Sequence, residues 1–250
     1  MRVDRDGAVV RIAFDRPGTL NSVDVEVLAE LSEAVRSAGA DPAVRVIVLS
    51  GQGRAFSSGA DMAALSGPPE ELMDAANTVI RDIVAAPVPV IAEVGGPAVG
   101  FGVGLACAAD LVYASSEAYF LLSFGKIGLM VDGGASLLIT AAAGRARAGE
   151  MALLCERMPA AEAAEHGLVN KVLADREQLS AHVRAVADKL AAGPRRAQEL
   201  SKKAISAAAY DLLDDALDRE KAGQVELLGS ADCAEGVAAF TERRDPVFAR

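Results

Sequence analysis

Two glycine-rich stretches and one aspartate carry the chemistry that this chain's residues allow. Glycines fall at 95, 96, 100, 102 and 104, between an apolar run at 89–94 and an Ala-rich segment ending at Asp110. The pattern reads as strand, tight turn and helix. The first N–H groups of a helix have no partner inside it, and glycine lets a ligand approach them closely. The positive end of the helix dipole lies there too. Such a place suits an anion, either a phosphate or a charge that develops during a reaction. A second place of this kind, Gly51 to Met62, follows the β-branched run Val44 to Leu49. In a third glycine-punctuated loop, Phe124 to Ser136, Asp132 precedes Gly133 and Gly134. By residue type alone Asp132 reads as a turn aspartate.

Other chemistries find little support. The glycine loops lack the Lys-Ser/Thr of a phosphate-binding P-loop. His166 precedes Gly167 at a helix end, and His182 falls on a polar helix face, neither with the partners of a triad or a metal site. Cys107, Cys155 and Cys233 are far apart and odd in number. They read as reduced thiols of a cytoplasmic protein. A net charge of −10 argues against general nucleic-acid or anionic-membrane binding. The charged N-terminus does not read as a signal peptide. The glycine-filled apolar stretch 98–113 is too short to span a membrane.

The elements that must hold these residues follow from periodicity. Val9 to Phe14 reads as a strand, and Asp15-Arg16-Pro17-Gly18 breaks it. Asn21 or Ser22 is expected to cap the next helix, whose Leu28, Leu31, Val35 and Ala38 have helical spacing. With Val44 to Leu49 this makes a strand–helix–strand unit and suggests a parallel crossover. Ser66 to Pro69 reads as an exposed loop before a helix at 70–86. Short strands are expected at 111–114, 119–122 and 169–173, with helices from Ser136, from Gly144 and at 160–166. Beyond Asp175 the strand signal stops, and helices are expected at 176–192, 194–209, 211–228 and 231–242. Leu213, Ala216, Leu217, Glu220, Gln224, Leu227 and Leu228 form one 3–4 stripe. A boundary near Gly193-Pro194 divides an α/β core, 1–193, from a helical region, 194–250. Without Trp and with few aromatics, the core must be built from Ala, Val, Leu and Ile.

Taken in order, the motifs resemble those of the crotonase (enoyl-CoA hydratase/isomerase) superfamily over nearly the whole chain. Arg16-Pro17 with Leu20-Asn21 resembles its N-terminal signature. Ala55-Phe56-Ser57-Ser58-Gly59-Ala60-Asp61 and Gly96-Pro97-Ala98-Val99-Gly100-Phe101-Gly102 resemble its two oxyanion loops. Ile127-Gly128-Leu129 and Asp132-Gly133-Gly134 resemble its third site loop. Gly144 to Arg147, Glu165 to Asn170, Asp232 to Phe240 and Arg244 to Phe248 complete the series.

The resemblance implies a spiral of ββα units with a C-terminal helical trimerisation region, in a homotrimer or a hexamer. It implies an acyl-CoA thioester substrate, with no cofactor, metal, nucleic acid or membrane partner. Carried over, the oxyanion donors are the backbone N–H groups of Ala60 and Phe101, and Asp132 is the acid/base carboxylate of the isomerase members. Substrate-binding positions are Arg54, Asp61, Met62, Gly100, Phe124 and Gly133, with Asp61 expected to fix its loop. Arg16, Lys202, Lys203, Arg243 and Arg244 are further cations for the CoA phosphates. The two glutamates of the hydratases fall on Gly104 and Phe124. Their absence favours double-bond migration, for which one carboxylate facing an oxyanion hole suffices. A hydratase with an atypical second group, or an acyl-CoA binder without chemistry, are the alternatives. A site lined by Phe101 and Phe124 would be apolar and would raise the pKa of Asp132.

Overall fold

The structure, a computed structural model, describes residues 1–61 and 67–248. Expectations for Met62 and Ser66 therefore lie outside the described residues. β1 (Arg2–Asp6) and β2 (Val9–Phe14) form an antiparallel hairpin. Nothing in its pattern marks β1 as a strand, because all five residues are exposed and no face alternates. α1 (Val25–Ala40) then crosses to β3 (Val46–Gly51), which pairs parallel to β2. The expected crossover is present, but the expected cap is corrected. Asp24 is the N-cap, accepting from the Val27 N–H at 2.9 Å. The helix starts late because Leu20 and Asn21 take left-handed φ values of 57° and 58°.

α2 (Pro69–Ala85) leads to β4 (Val90–Val94), parallel to β3. The chain continues through β5 (Ala98–Val99), α3 (Phe101–Cys107), β6 (Leu111–Ser115), β7 (Tyr119–Leu121), α4 (Ala135–Leu154), β8 (Met158–Pro159), α5 (Ala160–Glu165) and β9 (Lys171–Leu173). The larger sheet has the order β1-β2-β3-β4-β6-β9, and the smaller one β5-β7-β8. Inside α4, Gly144 is non-helical at φ 80°, ψ 160°, where the sequence suggests a fresh helix start. α6 (Arg176–Ala191), α7 (Arg195–Tyr210), α8 (Leu213–Leu228) and α9 (Ala231–Glu242) end the described chain.

The inner parallel strands of the large sheet, β2, β3, β4 and β6, are buried on both faces, as parallel strands require. Ile47 and Leu49 point into the main core with α1 and α2, while Val46 and Val48 meet Leu179 and Val183 of α6. Alternation along β3 thus serves two helical layers. Each such side chain, fully buried, contributes about 1.5–3 kcal/mol. α7 is tied down by a buried cation. Lys202 Nζ lies 2.8 Å from Asp110 and donates to the carbonyls of Ile83 and Val88. Lys202 is therefore not a phosphate ligand, correcting that expectation: its ammonium is only 7% exposed and already paired. The three cysteines are unpaired and buried.

Candidate active site

Two loops leave the C-terminal ends of β3 and β4 and run side by side. Val99 N–H donates to the Ser57 carbonyl at 2.9 Å, and Phe56 N–H to that of Pro97 at 3.0 Å. Asn21 stitches the first loop to the exit of β2. Its buried side-chain amide donates to the Gln52 and Ala55 carbonyls, each at 2.9 Å, and its backbone carbonyl accepts from Ser57 Oγ. That explains why an Asn sits beside the Arg-Pro pair. Asp61 is held by Ser22 Oγ at 2.9 Å and lies 3.7 Å from Arg16, so it steadies the loop end.

The loops converge at the start of α3. Gly100 takes φ 54°, ψ −125°, a conformation essentially closed to other residues, and turns the chain into the helix. A Cβ built on Gly59 would lie 3.2 Å from the Phe101 nitrogen. Among the described residues, the Ala60 and Phe101 N–H groups have no acceptor in the chain. Both residues line one cavity of about 550 Å³. Its walls are largely apolar, with Leu72 and Met73 of α2, Leu121 of β7, and Phe124 and Leu129 of the loop before α4. Lys126 stands exposed at its rim.

Asp132 lines the same cavity. Its Oδ2 accepts from Gln224 Nε2 at 2.8 Å, while its buried Oδ1 has no hydrogen-bond partner. Burial pushes its carboxyl up to about 7; the Gln224 contact works the other way, and the nearby Glu220 carboxylate adds to the rise. Glu220 is itself buried, which raises its pKa too. Its two oxygens accept from the Gly134 N–H at 2.7 Å and the Ser136 N–H at 2.9 Å. α4 has no capping side chain of its own, so a carboxylate of α8 satisfies its first donors.

Gly104 is where two pieces of backbone meet. A Cβ there would lie 2.5 Å from the Gly133 carbonyl oxygen. Space that a side chain at 104 needs is thus filled by the loop that carries Asp132.

The enoyl-CoA hydratase/isomerase family model matches residues 4–250. The chain belongs to the enoyl-CoA hydratase/isomerase family. It is 36% identical over 248 residues to the 1,2-epoxyphenylacetyl-CoA isomerase of Escherichia coli K12, covering 96% of this chain and 94% of that one. A probable enoyl-CoA hydratase of Rhodobacter capsulatus is 40% identical over 241 residues, covering 95% and 93%. The crystal structure of an enoyl-CoA hydratase from Mycobacterium avium subsp. paratuberculosis K-10 superposes with a TM-score of 0.94 at 45% identity, covering 100% and 98%. The fold is therefore the crotonase fold, with its spiral core and C-terminal helices.

Of the residues singled out in this crotonase-fold chain, Ala60, Asp61, Gly100, Phe101, Phe124 and Asp132 meet in one cavity. Gly133 lies behind it, packed on Gly104 and the Phe101 ring. Arg54 is exposed and is not among the cavity's lining residues. Met62 lies outside the described residues. Lys203 and Arg244 are engaged by Glu199 and Glu235. Gln224 and Glu220 are the residues whose part at the site the sequence reading misses. Their signal is present: two polar side chains at helical spacing within an apolar stripe, which burial tolerates only when they find partners.

Proposed function

We propose that this protein shifts a carbon–carbon double bond within an enoyl-CoA thioester, with Asp132 as the proton shuttle. The observation that carries the reading is a carboxyl with one unpartnered oxygen, pushed up to about 7, on the same cavity as two unsatisfied N–H groups. The Asp132 carboxylate takes a proton from Cα of a 3-enoyl thioester. The C–H electron pair moves toward the carbonyl, and the negative charge of the dienolate gathers on the thioester oxygen. The Ala60 and Phe101 N–H groups hold that oxygen. Preorganised donors of this type contribute roughly 3–4 kcal/mol each to a transition state. The Asp132 acid then returns the proton at Cγ, leaving the 2-enoyl thioester. Atoms balance, and one carboxyl near neutrality suits both halves of the exchange.

Water addition needs a second group to activate or protonate. Gly104 and Phe124 supply none, and the Gly133 carbonyl closes the space at 104. The same reading puts the chain in a homotrimer or hexamer, which would cover the exposed apolar side chains Leu153, Leu154 and Val247. Incubation with 3-enoyl- and 2-enoyl-CoA tests the chemistry. Migration that falls roughly a hundred- to ten-thousand-fold in Asp132→Asn, with KM little changed, is the expected result. Unchanged migration in that variant would remove Asp132 from the mechanism. Water addition would instead mark a hydratase, and tight binding without turnover a binder.

A further inference from the structure

α8 sends an uncharged polar side chain to Asp132. Gln224 is only 2% exposed, and its Nε2 donates to Asp132 Oδ2 at 2.8 Å. Asp132 Oδ1 and Gln224 Oε1 are both buried without a hydrogen-bond partner. The two carboxylate oxygens are therefore unequal: one is anchored by Gln224, the other has no hydrogen-bond partner. We propose that Gln224 is the positioning residue of Asp132, fixing Oδ2 so that Oδ1 alone takes the proton from the acyl chain and returns it. This rests on the proton-shuttle reading above.

The arrangement serves both halves of the exchange. When the substrate C–H bond breaks, the new O–H bond forms on Oδ1. Oδ2 then becomes the carbonyl oxygen of the acid, still an acceptor, so the Gln224 contact persists. No side chain has to turn between the two transfers. A carboxylate with neither oxygen tied would rotate about its Cβ–Cγ bond and lose part of the orientation that proton transfer needs. A merely structural Gln224 would fill the α8 stripe and leave the titration of Asp132 alone.

The ionisable groups facing Asp132 or its cavity are Glu220 of α8, Lys126 of the 124–127 turn, Asp61 of the first loop and Tyr119 of β7. Among the described residues, α2 and α3 present only apolar side chains to it. Replacing Gln224 leaves all of these in place. The donor it removes favours the ionised carboxyl, so its loss moves the Asp132 titration upward.

The test is a 13C NMR titration of the aspartate carboxyl carbons, with Asp132 assigned by comparison with Asp132→Asn. It is run on the native protein, on Gln224→Met and on Gln224→Glu, alongside kcat and KM for 3-enoyl-CoA across pH. Gln224→Met keeps the length of the side chain and removes the donor. Its Asp132 resonance should titrate about one pH unit higher, and the acid limb of kcat should move with it. Its kcat should fall roughly 10- to 100-fold with KM within about threefold. Gln224→Glu, which adds a like charge when ionised, should move the titration further up. Equal titration in the native protein and Gln224→Met overturns the proposal whatever the activity. So does a rise in KM with kcat intact. A titration displaced in Gln224→Met, with a native protein that turns over no enoyl-CoA, would uphold the anchoring and sink the isomerase reading instead.

Discussion

At the scale of residues, a carboxyl pushed up to about 7 is half ionised near neutrality. In the proposed role of proton acceptor it would have to be ionised, so kcat should rise with pH through about 7 and then level. The same shift acts on stability with the opposite sign. The unfolded chain releases this proton near pH 4, whereas the folded chain keeps it to about 7. The folded state therefore binds more protons in that window, and stability falls as pH rises through it. Asp132→Asn removes the penalty. It should raise Tm by about 3–8 °C at pH 8 and by almost nothing at pH 4, even as migration is lost. Equal Tm values at pH 8 would mean the carboxyl is not destabilised by burial. Gly104→Glu tests the other end of the site. With the Gly133 carbonyl 2.5 Å from its Cβ, the new side chain must displace the Asp132 loop. Migration should drop more than about tenfold with no water addition gained, both read from product ratios.

Among the elements, α4 and α8 depend on each other. Both Glu220 oxygens are spent on the first N–H groups of α4. Glu220→Ala leaves the buried Gly134 donor and the part-buried Ser136 donor unpaired and should destabilise by about 1–3 kcal/mol, seen as a lower denaturant midpoint at constant slope. Glu220→Gln keeps one acceptor and should cost less. An effect of Glu220→Ala no larger than an ordinary surface change would show that water replaces the cap. Most elements were legible because local pattern and burial agree: β3, β4, α1 and α2 carry their apolar residues at the period their partners require. β1 was not, because its exposed residues leave no pattern to read. The α1 cap was misplaced because left-handed φ at Leu20 and Asn21 cannot be seen in their types alone. At the site, the oxyanion-type loops announced themselves through glycine. Singling out Asp132 needed the family resemblance, since by type and neighbours it reads as a turn aspartate until the cavity is known. The roles of Glu220 and Gln224 depend on contacts 84–92 residues apart in sequence, which periodicity within one helix cannot report.

For the whole molecule, residues from both sides of the composition boundary near residue 193 meet in one cavity. Gln224, Leu228 and Phe240 from the C-terminal helices line the same cavity as Ala60 and Phe101. Self-association would use what is left outside. Leu153 is 84% exposed and Val247 80%, apolar surface that a contact between copies would cover. Light scattering should return three or six copies, and Leu153→Glu combined with Leu154→Glu should yield monomers; a native monomer would dispose of the oligomer reading. The position of Gln224 also orders events in time. A chain folds from its N-terminus as it is made, so both glycine loops can take shape while α4 still lacks its cap and Asp132 its anchor. Competence for proton transfer would then arrive only with the last helices. On the proposed mechanism, translation products ending before residue 220 would carry both glycine loops but be unable to work, so loss of the tail would silence the enzyme rather than loosen its control.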